Sequence, residues 1–292
     1  MKRWNLVLLY LGIFLTIYGQ KNISQDSISF IHAAWVHDTL YNGVIHAHCH
    51  FGSNQIFNSN QNIHILCVAK SNSNVQWKIG TAGNELLKTS TIAQKEEALA
   101  AVNGSFFNMK KGGSVNFIRI NGIMTDTSAN DKGPGIYGQN QSGAFAYDDK
   151  NFVILKRDIP GQGKWEENIP FPNVMECGPI LLVDTQKQPL LDSPFNNNRH
   201  PRTCVCVTEN ETLLITADGR NALAQGLSLH ELTDVLIWLG CKNGLNLDGG
   251  GSTTFYLRDK GVVNMPCDNK LWDHEGERPV SNALMLVLCP DK

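Results

Sequence analysis

The chain has 292 residues, of which 42% are hydrophobic and 18% are charged, a composition typical of globular proteins. Its net charge of −2 gives no electrostatic reason to expect nucleic-acid binding. The length allows one large domain or two small ones. No internal repeat or linker marks a boundary, so we expect one domain.

Residues 1–19 have the features of a secretory signal peptide. Lys2 and Arg3 precede an apolar run, and Gly19 is a small residue at a suitable cleavage point. The run at 6–17 is shorter than the roughly 20 residues of a membrane span, so we expect cleavage and no span afterwards. The mature protein is then secreted or periplasmic. Its eight cysteines permit disulfides, whose connectivity the sequence leaves open.

Strand patterns outnumber helix patterns along the chain. Residues 20–62 are polar and form an N-terminal extension or first strands, and 63–292 form the main domain. Strands are predicted at 63–70, 117–120, 152–155, 179–184, 204–208, 212–217, 253–257 and 283–288. Loops are predicted at 130–143, 160–172 and 189–201. These predictions indicate an α+β fold with a mixed or antiparallel sheet core and a few packed helices.

Local signals mark two helices and one hairpin. A capping-box pattern, Thr91 with Gln94, precedes a predicted helix that continues over 96–101. A second capping box, Ser228 with Glu231, precedes leucines at helical spacing. Asn121-Gly122 predicts a tight hairpin turn after the strand at 117–120.

The most informative motif is one carboxylate followed by three glycines and a hydroxyl. Asp248 precedes Gly249, Gly250, Gly251 and Ser252 at the end of an apolar strand. Glycines allow a ligand to approach the backbone closely, and their N–H groups can bind an anion. The alternative is a tight turn between strands, although turns rarely need three glycines.

Two arginine-bearing segments offer an anion site. Asp218-Gly219-Arg220 ends the strand at 212–217, and Arg202 follows His200 in a basic segment. One hairpin joins the two segments, so Arg202 and Arg220 are predicted to face one anion. Arginine can bind a phosphate through two parallel hydrogen bonds. The alternatives are a plain hairpin turn and a solvated loop.

Three further patterns carry weaker signals. Asn103-Gly104-Ser105 matches a glycosylation sequon, but its apolar flanks predict burial and a role in holding a ligand or a neighbouring loop. Glu176 is a weak acid/base candidate. His46, His48 and His50 alternate on one strand face. They suit a transition metal, but an exposed polar face is the favoured interpretation.

Several motifs occur together in one order along the chain: Asn103-Gly104-Ser105-Phe106-Phe107, Glu176-Cys177-Gly178-Pro179, Pro201-Arg202-Thr203, Asp218-Gly219-Arg220, Asn246-Leu247-Asp248-Gly249-Gly250-Gly251-Ser252 and Arg278-Pro279-Val280-Ser281-Asn282. From about residue 63 onward, this combination resembles the phosphodiester glycosidase family, which includes the animal enzyme that uncovers mannose 6-phosphate. The resemblance implies an α+β catalytic domain. It also implies hydrolysis of a sugar-1-phosphodiester at the anomeric C–O bond, giving free sugar and a phosphomonoester.

The resemblance and the residues together predict the roles in the site. Asp248 is the acid/base or nucleophile, and Asp218 is a second catalytic candidate. The predicted substrate-binding residues are Asn103, Arg202, Arg220, Asn246, Gly249, Gly250, Gly251, Ser252, Arg278 and Asn282. The partner is a small-molecule or glycan substrate that carries a sugar-1-phosphodiester.

Two alternative functions stay open at this point. No cofactor is certain, but Asp218 and Asp248 holding a divalent cation would make a phosphoesterase that cleaves P–O. A non-catalytic, exported glycan-binding protein is the second alternative, with tryptophans as stacking faces for sugars.

Overall fold

The computed structural model of the chain describes residues 24–127, 139–158 and 164–289. The signal predicted at 1–19 lies outside these residues, as do parts of the loops predicted at 130–143 and 160–172. No helix in the described ranges is long and apolar enough to cross a membrane.

The largest sheet has eight strands, and its first two come from the N-terminal part of the chain. From edge to edge, the strands are Val36–Tyr41 (β1), Val44–Ile56 (β2), Ser59–Ala69 (β3), Glu211–Ala217 (β14), Arg202–Val207 (β13), Asn243–Asn246 (β15), Ile180–Val183 (β11) and Gln186–Lys187 (β12). Residues 24–62 therefore form an integral part of this sheet. We call it the large sheet.

Two smaller sheets have five strands each. The second sheet contains Ile123–Asp126 (β7), Ile118–Ile120 (β6), Asn173–Cys177 (β10), Gly143–Tyr147 (β8) and Phe152–Lys156 (β9). The third sheet contains Gly261–Val262 (β17), Phe255–Leu257 (β16), Ala100–Asn103 (β5), Asn282–Leu288 (β18) and Val75–Thr81 (β4). All pairings between these strands are antiparallel.

The main hydrophobic core lies where the three sheets meet. Leu66 and Val205 of the large sheet pack there with Phe145 of the second sheet and with Val102 and Leu284 of the third. Because side chains alternate along a strand, the next residues point to the opposite face of the large sheet. That face is covered by helices.

Four helices are present in the described residues: Gln25–Ile31 (α1), Thr89–Lys95 (α2), Pro194–Asn197 (α3) and Leu229–Trp238 (α4). Phe30 of α1 and Leu232 and Leu236 of α4 cover the outer face of the large sheet. Ile92 of α2 packs on the third sheet. The fold is thus a single α+β domain built mainly from antiparallel sheets, as the sequence predicts.

The helix predicted over 96–101 is wrong. Helix α2 occupies Thr89–Lys95, its N-cap Lys88 makes no side-chain cap, and Ala100 and Ala101 belong to β5. Both alanines are buried because β5 lies between β16 and β18 at the centre of the third sheet. Tertiary pairing overrides the intrinsic helix preference of alanine here. The loop predicted at 189–201 likewise contains the short helix α3.

Two local predictions are confirmed in detail. Ser228 and Glu231 form a complete capping box at the start of α4. Asn121 and Gly122 have φ values of 51° and 80°, the two positive angles that a type I′ hairpin between β6 and β7 requires.

Candidate active site

Asp248 lies where the chain leaves the large sheet and enters the third sheet. Strand β15 ends at Asn246, and β16 of the third sheet begins at Phe255. The Leu247 N–H donates to the Thr203 carbonyl (2.9 Å), and the Asp248 N–H donates to the Gly104 carbonyl (3.0 Å). The backbone of Asp248 is therefore held by both sheets at their junction.

The carboxyl group of Asp248 is half-buried, and its environment makes it a weak acid. Burial raises its pKa from the ordinary 3.8 to about 6. Four groups oppose this rise in pKa because they stabilise the charged carboxylate. Two donate hydrogen bonds, the Ser252 side chain and the Gly249 N–H at 2.9 Å, and two are the cations Arg278 and Arg220. A carboxyl group that titrates near neutral pH and remains partly accessible is suited to proton transfer or nucleophilic attack.

None of the three glycines could be replaced by a larger residue without a clash, because another protein group occupies the space of the side chain. A Cβ on Gly249 would lie 2.7 Å from the Pro201 carbonyl oxygen. A Cβ on Gly250 would lie 2.9 Å from the Arg220 guanidinium, and one on Gly251 would lie 2.5 Å from the Arg278 guanidinium. The glycines thus bring both arginines onto the backbone beside Asp248.

The N–H groups of these glycines are largely used within the protein. The Gly249 N–H donates to the Asp248 carboxylate, and the Gly250 N–H donates to the Pro201 carbonyl at 2.9 Å. At most the Gly251 N–H remains for a bound anion. The arginine side chains, rather than the glycine backbone, therefore supply most of the positive charge.

Arg220 and Arg278 reach this point from two separate loops. Arg220 follows β14 in a left-handed conformation (φ 62°), and its Nη1 lies 3.9 Å from Cys267 Sγ. Arg278 donates from Nε and Nη2 to Asp268 Oδ1, at 3.2 and 2.5 Å. Cys267, Asp268 and Arg278 all belong to residues 264–278, which we call the 264–278 loop. Two arginines next to one carboxylate form a candidate site for a phosphorylated ligand.

Arg202 lies near the same glycines, but its side chain is fully buried. Its Nε donates to the Leu227 carbonyl (2.8 Å), and its Nη2 donates to the Phe195 and Asn198 carbonyls (2.7 and 3.0 Å). Burial lowers its pKa to about 9. The guanidinium supports the segment that precedes β13, and its predicted contact with substrate stays a prediction.

Asp218 is also fully occupied by protein partners. Its carboxylate accepts hydrogen bonds from Asn62 Nδ2 and Asn264 Nδ2, both at 2.8 Å, and from the Met265 N–H at 3.0 Å. Burial raises its pKa. These contacts attach the start of the 264–278 loop to the large sheet. Asp218 thereby positions the loop that carries Arg278, while its predicted catalytic role stays untested.

The asparagines of the motifs build the frame around Asp248. Asn103 Nδ2 donates to the Asp248 carbonyl (2.6 Å), and its Oδ1 accepts from Thr203 Oγ1 (2.7 Å). Asn103 is fully buried, as predicted. Asn282 Oδ1 accepts from the Ser105 N–H (2.8 Å). These two side chains bind protein groups, which explains their place beside the glycine motif.

The side-chain amide of Asn246 is only half satisfied: its nitrogen is hydrogen-bonded and its oxygen is not. Its Nδ2 donates to the Gly178 and Leu247 carbonyls, at 2.8 and 2.7 Å. Its Oδ1 is buried without a hydrogen-bond partner among the described residues.

Glu176, by contrast, lies in the second sheet, where its carboxylate accepts from the Phe117 N–H and the Trp165 indole N–H, both at 3.3 Å.

The histidines form a stack that the sequence did not predict. The ring of His64 on β3 stacks on His46 and on His48, with centroids 5.3 Å apart in both pairs. The favoured interpretation, an exposed face, is wrong for His46, which is buried because the third sheet covers it at Phe255. Burial lowers the pKa of His46 to about 4. Within the described ranges, no three His, Cys, Asp or Glu side chains are placed to hold a metal ion.

Asp268 and Cys267 are site residues that sequence reasoning missed. They precede Arg278 by ten and eleven residues, and no motif marks them. Only the path of the 264–278 loop brings them to the glycines. Two surface cavities, of about 260 and 530 Å³, are lined by other residues and do not include this site.

Comparison with known proteins identifies the family of this chain. The sequence model of the phosphodiester glycosidase family matches residues 96–287, and the chain belongs to this family. The match includes Asp248, the three glycines, Arg220 and Arg278. Family membership supports a phosphodiester glycosidase activity in general terms.

Solved structures share the fold at low sequence identity. The catalytic domain of zebrafish N-acetylglucosamine-1-phosphodiester α-N-acetylglucosaminidase, auto-inhibited by its pro-peptide, has a TM-score of 0.63 and 19% identity; the similarity covers 82% of this chain and 81% of that one. A hypothetical protein from Synechocystis has a TM-score of 0.68 and 16% identity, covering 87% of this chain.

Two of the relatives are considerably longer than the matched region. This chain covers 64% of the Synechocystis chain. It is 33% identical over 70 residues to the SPbeta prophage-derived uncharacterized protein YomE of Bacillus subtilis (strain 168), a match to 24% of this chain and 11% of that protein. The two solved structures establish the fold, and the short match to YomE adds nothing to that.

Proposed function

We propose that the protein hydrolyses the bond between the anomeric carbon and the phosphate oxygen of a sugar-1-phosphodiester. The products are a free sugar and a phosphomonoester. The observation that carries this proposal is the half-buried Asp248 carboxyl, with a pKa of about 6, which both Arg220 and Arg278 attract from beside the adjoining glycines. Membership of the phosphodiester glycosidase family supports it.

Asp248 acts on the sugar side of the scissile bond. Cleavage at the anomeric carbon passes through an oxocarbenium-like transition state, which a nearby carboxylate stabilises. Above its pKa of about 6, Asp248 is ionised and serves as the base that activates water or as the nucleophile. The two roles give opposite anomeric configurations in the product: a base-activated water inverts, and a covalent nucleophile retains.

Arg220 and Arg278 act on the phosphate side. As the C–O bond breaks, the phosphate gains negative charge on the departing oxygen. Cationic groups that are already in place stabilise this charge more strongly in the transition state than in the bound substrate. A phosphomonoester leaves readily without a proton, so a single reactive carboxylate is sufficient for the sugar side.

Hydrolysis in oxygen-18 water tests the bond that is cleaved. The substrate is the methyl phosphodiester of α-N-acetylglucosamine, chosen because of the similarity to the zebrafish enzyme's fold. We expect the label in the released sugar. Label in the phosphate would mean P–O cleavage and would overturn the proposal, as would binding of such diesters without any turnover. The Asp248→Asn variant is the control that links turnover to this site.

We also propose that the protein is exported to an oxidising compartment. A disulfide between Cys206 on β13 and Cys241 after α4 supports this, because such bonds persist outside the reducing cytosol. Cell fractionation with intact-mass measurement tests it. A chain that begins near residue 20, in the secreted or periplasmic fraction, is expected. A full-length chain confined to the cytosol would contradict export.

A further inference from the structure

Asp268 places a second negative charge at the candidate phosphate site. Its Oδ1 accepts hydrogen bonds from Arg278 Nε and Nη2, and it lies so close to Gly251 that an added Cβ would be 2.4 Å away. The side chain is on the exposed part of the 264–278 loop. Arg278 is therefore hydrogen-bonded to the Asp268 carboxylate and also attracted electrostatically by Asp248.

The charge balance of the site depends on Asp268. Arg220 and Arg278 together carry two positive charges, and Asp268 cancels one of them. One net positive charge then remains while Asp248 is protonated, and none remains once Asp248 is ionised above its pKa of about 6. A phosphodiester carries one negative charge, whereas a phosphomonoester carries nearly two at neutral pH. Without Asp268 the site would carry one more positive charge in either state, and that charge would attract the monoester more strongly than the diester.

We propose that Asp268 is a specificity-determining residue, which favours a monoanionic phosphodiester over the dianionic phosphomonoester and so promotes product release. This inference rests on the proposed function for its biological meaning. Its physical content, discrimination by ligand charge, is independent of turnover.

The alternative is that Asp268 and Arg278 form an ordinary surface ion pair. Such pairs contribute little to stability, commonly below about 1 kcal/mol. The pair would then affect both anions alike or neither. Electrostatic discrimination makes a different prediction, because Coulomb energy scales with the charge of the ligand. Removing one negative charge must stabilise a dianion twice as much, in free energy, as a monoanion at the same place.

Calorimetry at low ionic strength and about pH 8 measures this ratio. The probes are glycerol phosphate, a dianion at that pH, and dimethyl phosphate, a monoanion. Asp268→Asn is expected to bind glycerol phosphate about tenfold more tightly than the wild type does, and dimethyl phosphate about threefold more tightly. Asp273→Asn is the matched control: it removes the same charge from the same loop, and Asp273 accepts from Asn269 and the Glu275 N–H rather than from an arginine.

Each other outcome overturns the inference. Equal tightening of both anions, or no change, would show that ligand charge is not what Asp268 senses. Weaker binding of both would make Asp268 a residue that merely positions Arg278. Absence of binding of either anion to both proteins would mean that no anion site exists.

Product inhibition separates this inference from the proposed function. If the wild type cleaves sugar-1-phosphodiesters but inhibition by the phosphomonoester is unchanged in Asp268→Asn, only the inference fails. If no diester is cleaved but the binding ratio is found, only the proposed function fails.

Discussion

Replacing Asp248 by asparagine is predicted to stabilise the protein while it removes activity. The carboxyl has a pKa of about 6 in the folded protein against an ordinary value of 3.8. At about 1.4 kcal/mol per pH unit, that difference corresponds to about 3 kcal/mol of destabilisation when the group is ionised. Because Asp248 is partly accessible to water, we expect about half of this, ~1.5 kcal/mol, to be recovered by the neutral asparagine.

The sign of the pH dependence follows from the raised pKa. A carboxyl whose pKa is higher in the folded state stabilises that state only while it is protonated. Below pH 3.8 the group is neutral in both states, and its contribution is lost as the pH rises from there to about 6. The stability advantage of Asp248→Asn should therefore grow across this interval and stay constant above it.

Urea unfolding at several pH values between about 4 and 8 measures this difference. The variant should also lose turnover by about a hundredfold or more, as expected for a missing acid/base group. An advantage that does not change with pH would refute the assigned pKa. Wild-type turnover in the variant would remove Asp248 from the reaction.

Three further predictions concern the groups around Asp248 and the disulfide. Gly250→Ala should lower turnover by at least about tenfold, because the new Cβ would lie 2.9 Å from Arg220, whereas Gly261→Ala shares the positive φ but has open space and should keep its activity. Arg220→Ala should lower kcat/KM for a sugar-1-phosphodiester by about tenfold or more, mainly through kcat, while inhibition by the free sugar is unchanged; equal losses of the two would argue against a phosphate contact. Removing both Cys206 and Cys241 should lower the free energy of unfolding by about 4 kcal/mol, since the bond closes a 35-residue separation, and Cys289→Ala, which removes a free thiol, should show no such loss in the same denaturation assay.

In the structure, the glycine motif has a physical explanation that differs from the one the sequence suggested. The sequence indicated a site because three consecutive glycines leave room at the backbone. In the folded protein, that room is filled by the Pro201 carbonyl and the guanidinium groups of Arg220 and Arg278. The prediction of a site around Asp248 depended on the residue types, but the identity of the groups that approach the glycines could not be read from them.

Features whose partners lie within a few residues were determined by the sequence alone. The Ser228 and Glu231 capping box involves residues three apart, and the Asn121-Gly122 turn depends on the φ angles that those two residues tolerate. The motif order that indicates the family is also a property of the chain itself, and the match to the family's sequence model confirms that prediction.

Tertiary structure decided the features that depend on distant partners. Arg202 and Arg220 read alike in sequence, but Arg202 is buried against the Leu227 carbonyl while Arg220 is exposed beside Gly250. Asp218 accepts a hydrogen bond from Asn62, which is 156 residues away in the sequence, and so attaches the 264–278 loop to the large sheet. Burial and ion pairing arise from packing between sheets, so they set the charge and accessibility of each side chain only after the chain has folded.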